Sequence, residues 1–211
     1  MKDKPNEWIS ISDLMSGVMA VVMLLLVMSV LQKTYSDLKH KQEAEQGIAA
    51  KKKVLDNMLN SLQSSVVNQS VSNIVAFDIE NSKITLKESV FERGSACITP
   101  AAKSALNEVQ NKVNEFLLSN PTATVVIEGH TDSAIVAAPV TDITRFCTVY
   151  DDNFTLSAAR AREARKVLIG KLSEKETRRL IVAGYGDSQP LDNLNSEDPK
   201  NRRVEIQFTI K

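Results

Sequence analysis

The hydrophobic pattern divides the 211-residue chain into an apolar segment, a polar segment and a segment of mixed periodicity. From Leu14 to Leu31 no residue is charged, and an apolar run of about 18 residues is long enough for a transmembrane helix. We therefore predict a tail at 1–8 and a single transmembrane helix at 9–32. A cleaved signal peptide is the alternative, but such peptides have shorter apolar runs, and no small-x-small cleavage site follows this one.

A polar, proline-free stretch follows the apolar run and predicts a helical linker at 33–72. Leu55, Leu59, Leu62 and Val66 recur at helical spacing and form a narrow apolar stripe. The stripe has two interpretations. It packs on the domain that follows, or it forms a short dimer stalk, and the heptads are too few to decide whether the linker is a coiled coil.

Residues 73–211 show a mixed α and β pattern. Two alternating runs around Asn81-Ser82-Lys83 predict a β-hairpin. Thr99 and Pro100 then predict the start of an amphipathic helix. Its apolar face comprises Ala102, Leu106, Val109, Val113 and Leu117. A strand, a second helix and two strands follow, so the order β-β-α-β-α-β-β predicts an α+β domain with a mixed sheet and its helices on one face.

Composition narrows the classes of function. The formal net charge is zero, so nucleic acid is not the expected partner. The two histidines, His40 and His130, have no metal-ligand cluster around them in the sequence, and we expect no metal site. No nucleophile-base pair and no phosphate loop occurs, so we expect neither an enzyme nor a cofactor.

Four segments carry a family resemblance. "VIEGHTDS", "NFTLSAARARE", "VAGYGDSQP" and "NRRVEI" occur in this order and together resemble the OmpA-like peptidoglycan-binding domain. The resemblance covers about two thirds of the chain. It implies a periplasmic domain that binds the diaminopimelate residue of the peptidoglycan stem peptide without covalent chemistry.

Two residues match the ligand-binding pair of that family. The side chain of diaminopimelate ends in an ammonium and a carboxylate. The carboxylate of Asp132 can accept the ammonium, and Arg160 can bind the carboxylate through two parallel hydrogen bonds. The structural alternatives are that Asp132 caps a turn and that Arg160 is a surface charge.

Four further residues match positions of the same motifs. By resemblance, Thr131, Asn153 and Leu156 frame the peptidoglycan-binding pocket. Arg203 falls in the last motif, where a structural salt bridge and a ligand contact are equally compatible with the sequence.

The connection at 133–155 departs from the family, because it is about a dozen residues longer than usual. It contains Cys147, and Cys97 lies in the connection before the first domain helix. The resemblance places both connections near the ligand end of the sheet, and an oxidising periplasm favours a Cys97–Cys147 disulfide over two free thiols. The insertion also leaves open whether the peptidoglycan site is covered.

Asp13 is the one acid close to the apolar run. At about 100° per residue it shares a helix face with small and hydroxyl residues, a face that lets another helix approach closely. These residues are Ser12, Ser16, Gly17 and Ala20. The alternative is that Ser10-x-x-Asp13 forms a capping box at the start of the helix.

The whole layout carries a second resemblance. A short tail, one span with an acid, a linker and an OmpA-like domain resemble a MotB-type stator subunit, and "SDLMSGVM" resembles the ZorB subunits of Zorya anti-phage systems. This implies a homodimer in the bacterial inner membrane, in contact with lipid, with a cytoplasmic N-terminus. It also implies a surrounding ring of a MotA-like, multi-spanning partner of the ZorA type. Asp13 would carry a proton or a sodium ion. The alternatives are a flagellar stator and a passive tether between membrane and wall.

Overall fold

A computed structural model describes residues 7–67 and 74–210. Most of the predicted tail and the predicted junction between linker and domain lie outside these residues. The chain forms two compact units, Met1–Ala50 and Lys51–Lys211. Helix α1 (Glu7–Val67) contributes residues to both units, and its part in the first unit has exposed apolar side chains from Leu14 to Leu31. Among the described residues, this is the one helix long enough and apolar enough to cross a membrane.

Helix α1 begins earlier than the capping interpretation of Asp13 requires. Its backbone is already helical at Glu7, so Ser10 and Asp13 both lie within the helix. A capping residue has non-helical backbone and precedes the first turn. The capping box at Ser10-x-x-Asp13 is therefore wrong. The side chain of Asp13 is outside the described part of the chain, and its role as an ion carrier stays a prediction.

The second unit contains a five-stranded mixed sheet. Its strands are β1 (Val75–Asp78), β2 (Lys83–Leu86), β3 (Ala123–His130), β4 (Leu180–Gly184) and β5 (Arg203–Ile210). They are arranged in the order β1-β2-β5-β3-β4. Strands β3 and β4 are parallel, and the other neighbouring pairs are antiparallel. The predicted fold class and the predicted β-hairpin are confirmed.

Two long helices cover one face of the sheet. They are α2 (Pro100–Ser119) and α4 (Asn153–Ile169). Two single-turn helices, α3 (Ile143–Phe146) and α5 (Glu174–Thr177), precede and follow α4 along the chain. Thr99 caps α2, as predicted, by accepting a 3.3 Å hydrogen bond from the amide of Ala102. The five predicted apolar positions of α2 are all fully buried. The predicted order of strands and long helices is thus observed, with α3, α5 and two short 3₁₀ turns, Glu88–Val90 and Pro199–Asn201, in addition.

Alternation along the strands separates an apolar face from a charged one. Val125 and Ile127 of β3 and Ile206 of β5 face the helices and belong to the core. Glu128 and Glu205 alternate with them and lie on the opposite face, directly across from each other. Because strand side chains point to alternate faces, one sheet supports both the core and the charged face.

The leucine stripe at the end of α1 belongs to the core of the second unit. Leu55, Leu59 and Leu62 are buried there. Met58 of α1 and Phe116 of α2 line a groove of about 270 Å³ between the two helices. Each fully buried leucine side chain contributes about 1.5–3 kcal/mol to folding stability. The structure therefore favours packing of the stripe on the domain over a dimer stalk.

Candidate functional site

Two glycines let the start of α4 lie directly on the sheet. A Cβ atom at Gly129 would fall 1.9 Å from the carbonyl oxygen of Ser157, and one at Gly184 would fall 2.6 Å from the Cβ of Ala158. Any larger residue would therefore push α4 away from β3 and β4. This close approach places Arg160, in the next turn of α4, at the end of β3 where Asp132 follows.

Arg160 is a buried cation rather than a surface charge. Its side chain is 2% exposed, and its guanidinium lies 5.5 Å from the ring centre of Phe91. Its Nε donates a 3.0 Å hydrogen bond to the carbonyl of Ser95. Burial lowers the pKa of Arg160, and the carboxylate of Glu88 acts in the opposite direction.

No described carboxylate forms a salt bridge with Arg160. A buried charge without a partner is costly, and proteins normally pair it with an opposite charge. The guanidinium is planar and presents parallel donors that match a carboxylate. Arg160 therefore has the chemistry of a receptor for a carboxylate that comes from outside the chain.

Asp132 is also buried, but it already has a cationic partner. Its side chain is 6% exposed, and its Oδ2 accepts a short hydrogen bond from Nη1 of Arg202. Arg202 also binds Glu88, with 2.8 Å between Nη2 and Oε2. The hydrogen bond to Glu88, and after it the bond to Asp132, raise the pKa of Arg202. An incoming ammonium must share Asp132 with Arg202 or displace it.

Sequence reasoning missed Arg202 and Glu88. The sequence signal for Arg202 was the pair of arginines in "NRRVEI". Consecutive residues of an extended chain point to opposite sides, so the two arginines were bound to have different partners. Arg202 points to Asp132, whereas Arg203 forms a 2.6 Å salt bridge with Glu205. The Arg203 guanidinium also donates to the carbonyls of Asn201 and Gln189. The structure thus favours the salt-bridge alternative for Arg203 over a ligand contact.

The three residues predicted to frame the pocket lie around Asp132. The Asn153 side chain donates to the carbonyls of Asp132 and Ala134, at 3.2 and 2.9 Å, and so fixes the turn after β3. Thr131 and Leu156 are buried beside this turn and in the first turn of α4. The Thr131 hydroxyl makes no hydrogen bond to any described residue. Asn153 is therefore a positioning residue for Asp132.

The insertion at 133–155 packs on the segment that holds Arg160. Cys97 and Cys147 form the predicted disulfide. The Tyr150 hydroxyl donates a 2.6 Å hydrogen bond to the carbonyl of Gly94. Val140 and Tyr150 pair through two backbone hydrogen bonds and give the insertion a small hairpin of its own. The insertion is thus an ordered wall of the site.

The charged face of the sheet contains a cluster that the sequence did not reveal. Glu128, His130 and Glu205 bring their ligand atoms within 4.8 Å of one another, so the expectation of no cluster around His130 is wrong. However, the two oxygens of Glu205 already bind Lys83 at 2.9 Å and Arg203 at 2.6 Å. Both oxygens of Glu205 thus already have cationic partners, and we interpret the group as a buried charge network.

His130 is the member of this network that lacks hydrogen-bond partners among the described residues. It is 1% exposed, it stacks on Tyr185 with 5.3 Å between ring centres, and its nitrogens bind no described residue. Burial, and after it the nearby Arg203 charge, lower the pKa of His130 to about 4. The imidazole is therefore neutral at pH 7. Burial, opposed by Lys83 and reinforced by Glu205, raises the pKa of Glu128.

The fold and the buried acid–arginine arrangement define a class of domain. The family model that matches the chain is described as the OmpA family and covers residues 90–203. The chain therefore belongs to the OmpA family.

Two curated proteins resemble the chain beyond this domain. It is 26% identical over 224 residues to the Zorya protein ZorB of Escherichia coli, covering 99% of this chain and 89% of ZorB. It is also 26% identical over 163 residues to Motility protein B of Bacillus subtilis, covering 75% of this chain and 57% of that protein. The chain is thus ZorB- and MotB-like and has an OmpA-like domain.

Two solved structures share the fold. A putative MotB-like protein from Desulfovibrio vulgaris superposes with a TM-score of 0.55 at 20% identity, covering 77% of this chain and 98% of that one. The cell wall anchor of the T6SS from Pseudomonas aeruginosa gives a TM-score of 0.51 at 21% identity, covering 72% and 96%. At these identities the likeness concerns the fold alone.

Proposed function

We propose that the second unit binds the peptidoglycan stem peptide through the side chain of diaminopimelate. The observation that carries this proposal is Arg160, a buried guanidinium to which no described carboxylate is paired. Beside it, Asp132 offers a buried carboxylate for an ammonium. A ligand with a carboxylate and an ammonium on one carbon matches both groups.

A comparison of two cell walls tests this binding. The full chain, purified in detergent, is incubated with sacculi whose stem peptides contain diaminopimelate and with sacculi that contain lysine at that position. Lysine has the ammonium but lacks the adjacent carboxylate, so the chain is expected to sediment with the first wall and far less with the second. Equal sedimentation with both walls would contradict a role for Arg160 as the carboxylate receptor.

For the whole chain we infer a stator subunit of an ion-driven rotary motor in the bacterial inner membrane. Similarity to ZorB over 99% of the chain supports this, together with an uncharged run that begins directly after Asp13. The N-terminus is cytoplasmic and the second unit periplasmic. Two copies lie inside a ring of a MotA-like, ZorA-type partner, in contact with lipid, and the motor acts in anti-phage defence.

Asp13 carries the translocated ion, a proton or a sodium ion, and the chain performs no covalent chemistry. The residue lies about two turns into α1, where a carboxylate is not needed as a cap. Ionisable side chains within membrane spans are rare and typically mark ion pathways, which fits a carboxylate that takes up and releases an ion during rotation. Moving one charge across about 100 mV supplies about 2.3 kcal/mol. The wall-bound domain holds the pair still against the reaction torque.

Substitution of Asp13 distinguishes the stator from a passive tether. Asp13→Asn is expected to leave assembly with the multi-spanning partner intact, measured by mass analysis of complexes extracted gently from native membranes, and to abolish protection in a phage-plating test. The control is Asp37→Asn, which removes an exposed acid from α1 outside the uncharged run. Full protection by Asp13→Asn would contradict the stator. Loss of motility instead of protection would indicate a flagellar stator.

A further inference from the structure

The segment around Ser95 fixes the direction of the Arg160 side chain. The Nε of Arg160 donates to the carbonyl of Ser95, a residue that is 2% exposed. A guanidinium binds a carboxylate through two parallel hydrogen bonds only when its plane has the right orientation. The position of the Ser95 carbonyl therefore decides whether Arg160 can bind its ligand in this way.

Residues of the insertion hold Ser95 in place. The carbonyl of Phe146 accepts a 3.0 Å hydrogen bond from the Ser95 hydroxyl and a 3.1 Å hydrogen bond from the amide of Ala96. The Ser95 hydroxyl in turn accepts a 2.9 Å hydrogen bond from the amide of Cys97. One carbonyl of the insertion thus binds both residues that surround the Ser95 carbonyl.

The disulfide joins the residues that directly follow these two groups. Cys147 comes after Phe146, Cys97 comes after Ala96, and the two cysteines are 50 residues apart in the chain. Cys147 has a φ of 57°, a left-handed conformation that residues other than glycine rarely adopt. A cross-link at this position keeps the Phe146 carbonyl directed at Ser95, although the local backbone preference opposes it.

The other half of the site does not depend on this link. Asp132 is held through its side chain by Arg202 and through its backbone by Asn153. Neither contact passes through Ser95 or Phe146. The hydrogen bonds that hold Asp132 are thus different from those that hold Ser95.

We propose that the Cys97–Cys147 disulfide, acting through Phe146 and Ser95, positions Arg160 for the ligand carboxylate and leaves the ammonium-binding half unaffected. This inference rests on the proposed peptidoglycan binding. It makes the disulfide a positioning element that acts on ligand affinity, in addition to its contribution to stability. The insertion is then a part of the site that aligns the receptor arginine.

The test uses two ligands that differ only at the carboxylate. One is a stem tripeptide with free diaminopimelate, and the other is the same tripeptide with the side-chain carboxylate amidated. Their affinities for the full chain in detergent are measured by calorimetry, with and without the double substitution Cys97→Ser/Cys147→Ser. We expect the variant to bind the free ligand about tenfold more weakly, a difference of 1.4 kcal/mol, and the amidated ligand with unchanged affinity.

A second variant covers the case in which the double substitution fails to fold. Ser95→Ala keeps the disulfide and the Ser95 carbonyl but removes the hydroxyl that binds Phe146 and Cys97. It is expected to weaken binding of the free ligand alone by about threefold, since it removes two neutral hydrogen bonds but keeps the disulfide and the bond from the Ala96 amide to Phe146. Circular dichroism at the assay temperature checks that each variant is folded.

Three outcomes contradict the inference, and each has a different meaning. Equal weakening of both ligands would show that the disulfide acts on the fold as a whole. Unchanged affinity for the free ligand in both folded variants would show that Arg160 is positioned without it. Failure of the unmodified chain to bind either ligand would overturn the proposed function itself, and this inference with it.

Discussion

Each half of the candidate site contains a buried charge, but the two charges differ in how they are paired. Arg160 is buried without a carboxylate partner and is directed by a backbone carbonyl, whereas Asp132 is buried with Arg202 already bound to it. The carboxylate receptor is thus preformed, and the ammonium receptor exchanges one cation for another. We therefore expect most of the ligand affinity to come from Arg160, since binding there relieves an unpaired buried charge.

The largest expected effect comes from removing the preformed half. Arg160→Ala should weaken binding of a diaminopimelate tripeptide at least about 30-fold, because truncating one partner of a desolvated charge pair costs 2 kcal/mol or more. The measurement is calorimetry with the full chain. Arg178→Ala is the matched control, since Arg178 is an exposed arginine whose partner is Glu174. A smaller loss for Arg160→Ala than for Asp132→Asn would reverse the comparison.

Acidification tests the contribution of His130, on the charged face of the sheet, to stability. The pKa of His130 is lowered from 6.5 to about 4 in the folded chain, so the unfolded chain binds more protons between these values. Stability is then lost as pH falls from 6.5 towards 4, by up to about 2 kcal/mol at pH 5.

Chemical denaturation at pH 7 and pH 5 measures the effect of His130. The raised pKa of Glu128 acts in the opposite direction, so the quantity to compare is the change in stability between the two pH values in the unmodified chain and in His130→Asn. This change should be smaller in the variant. An identical change in both chains would mean that His130 is not the responsible group.

Asp132→Asn should have a smaller effect on binding than Arg160→Ala. The amide still accepts a hydrogen bond from the ligand ammonium but loses the charge, and Arg202 keeps its salt bridge with Glu88. We expect about tenfold weaker binding of the tripeptide, because a hydrogen bond to a charged group contributes about 1.5–3 kcal/mol and part of it is retained. Asp37→Asn, which removes an exposed acid of α1, serves as the control in the same assay.

The smallest expected effect has the opposite sign. Arg202→Ala frees Asp132 for the ligand, so affinity for the tripeptide should rise about threefold, while the free energy of unfolding falls by about 1 kcal/mol because Glu88 and Asp132 lose their partner. Calorimetry and denaturation give the two values separately. A loss of affinity would indicate that Arg202 contacts the ligand directly and that the two halves are more alike than proposed.

The parts of the fold and of the site that could be predicted are those that show in a local sequence pattern or motif. The capping pair Thr99-Pro100, the apolar face of α2 and the order of strands follow from periodicity, and resemblance gave Asp132 and Arg160. The parts that could not be predicted are pairings between distant residues. Glu88 and Arg202 are 114 residues apart, and no periodicity reports that they meet. Arg203 was ambiguous because the side that each arginine of the pair faces depends on where β5 begins.

The leucines at the end of α1 also have a practical consequence for soluble fragments. A fragment that starts at the predicted domain boundary, residue 73, would lack Leu55, Leu59 and Leu62 and leave the surface beneath them open to water. Such apolar surfaces promote association between molecules. A fragment that starts at Lys51, the first residue of the compact unit, retains all three. The shortest well-behaved soluble form should therefore include the last turns of the helix that begins in the apolar segment.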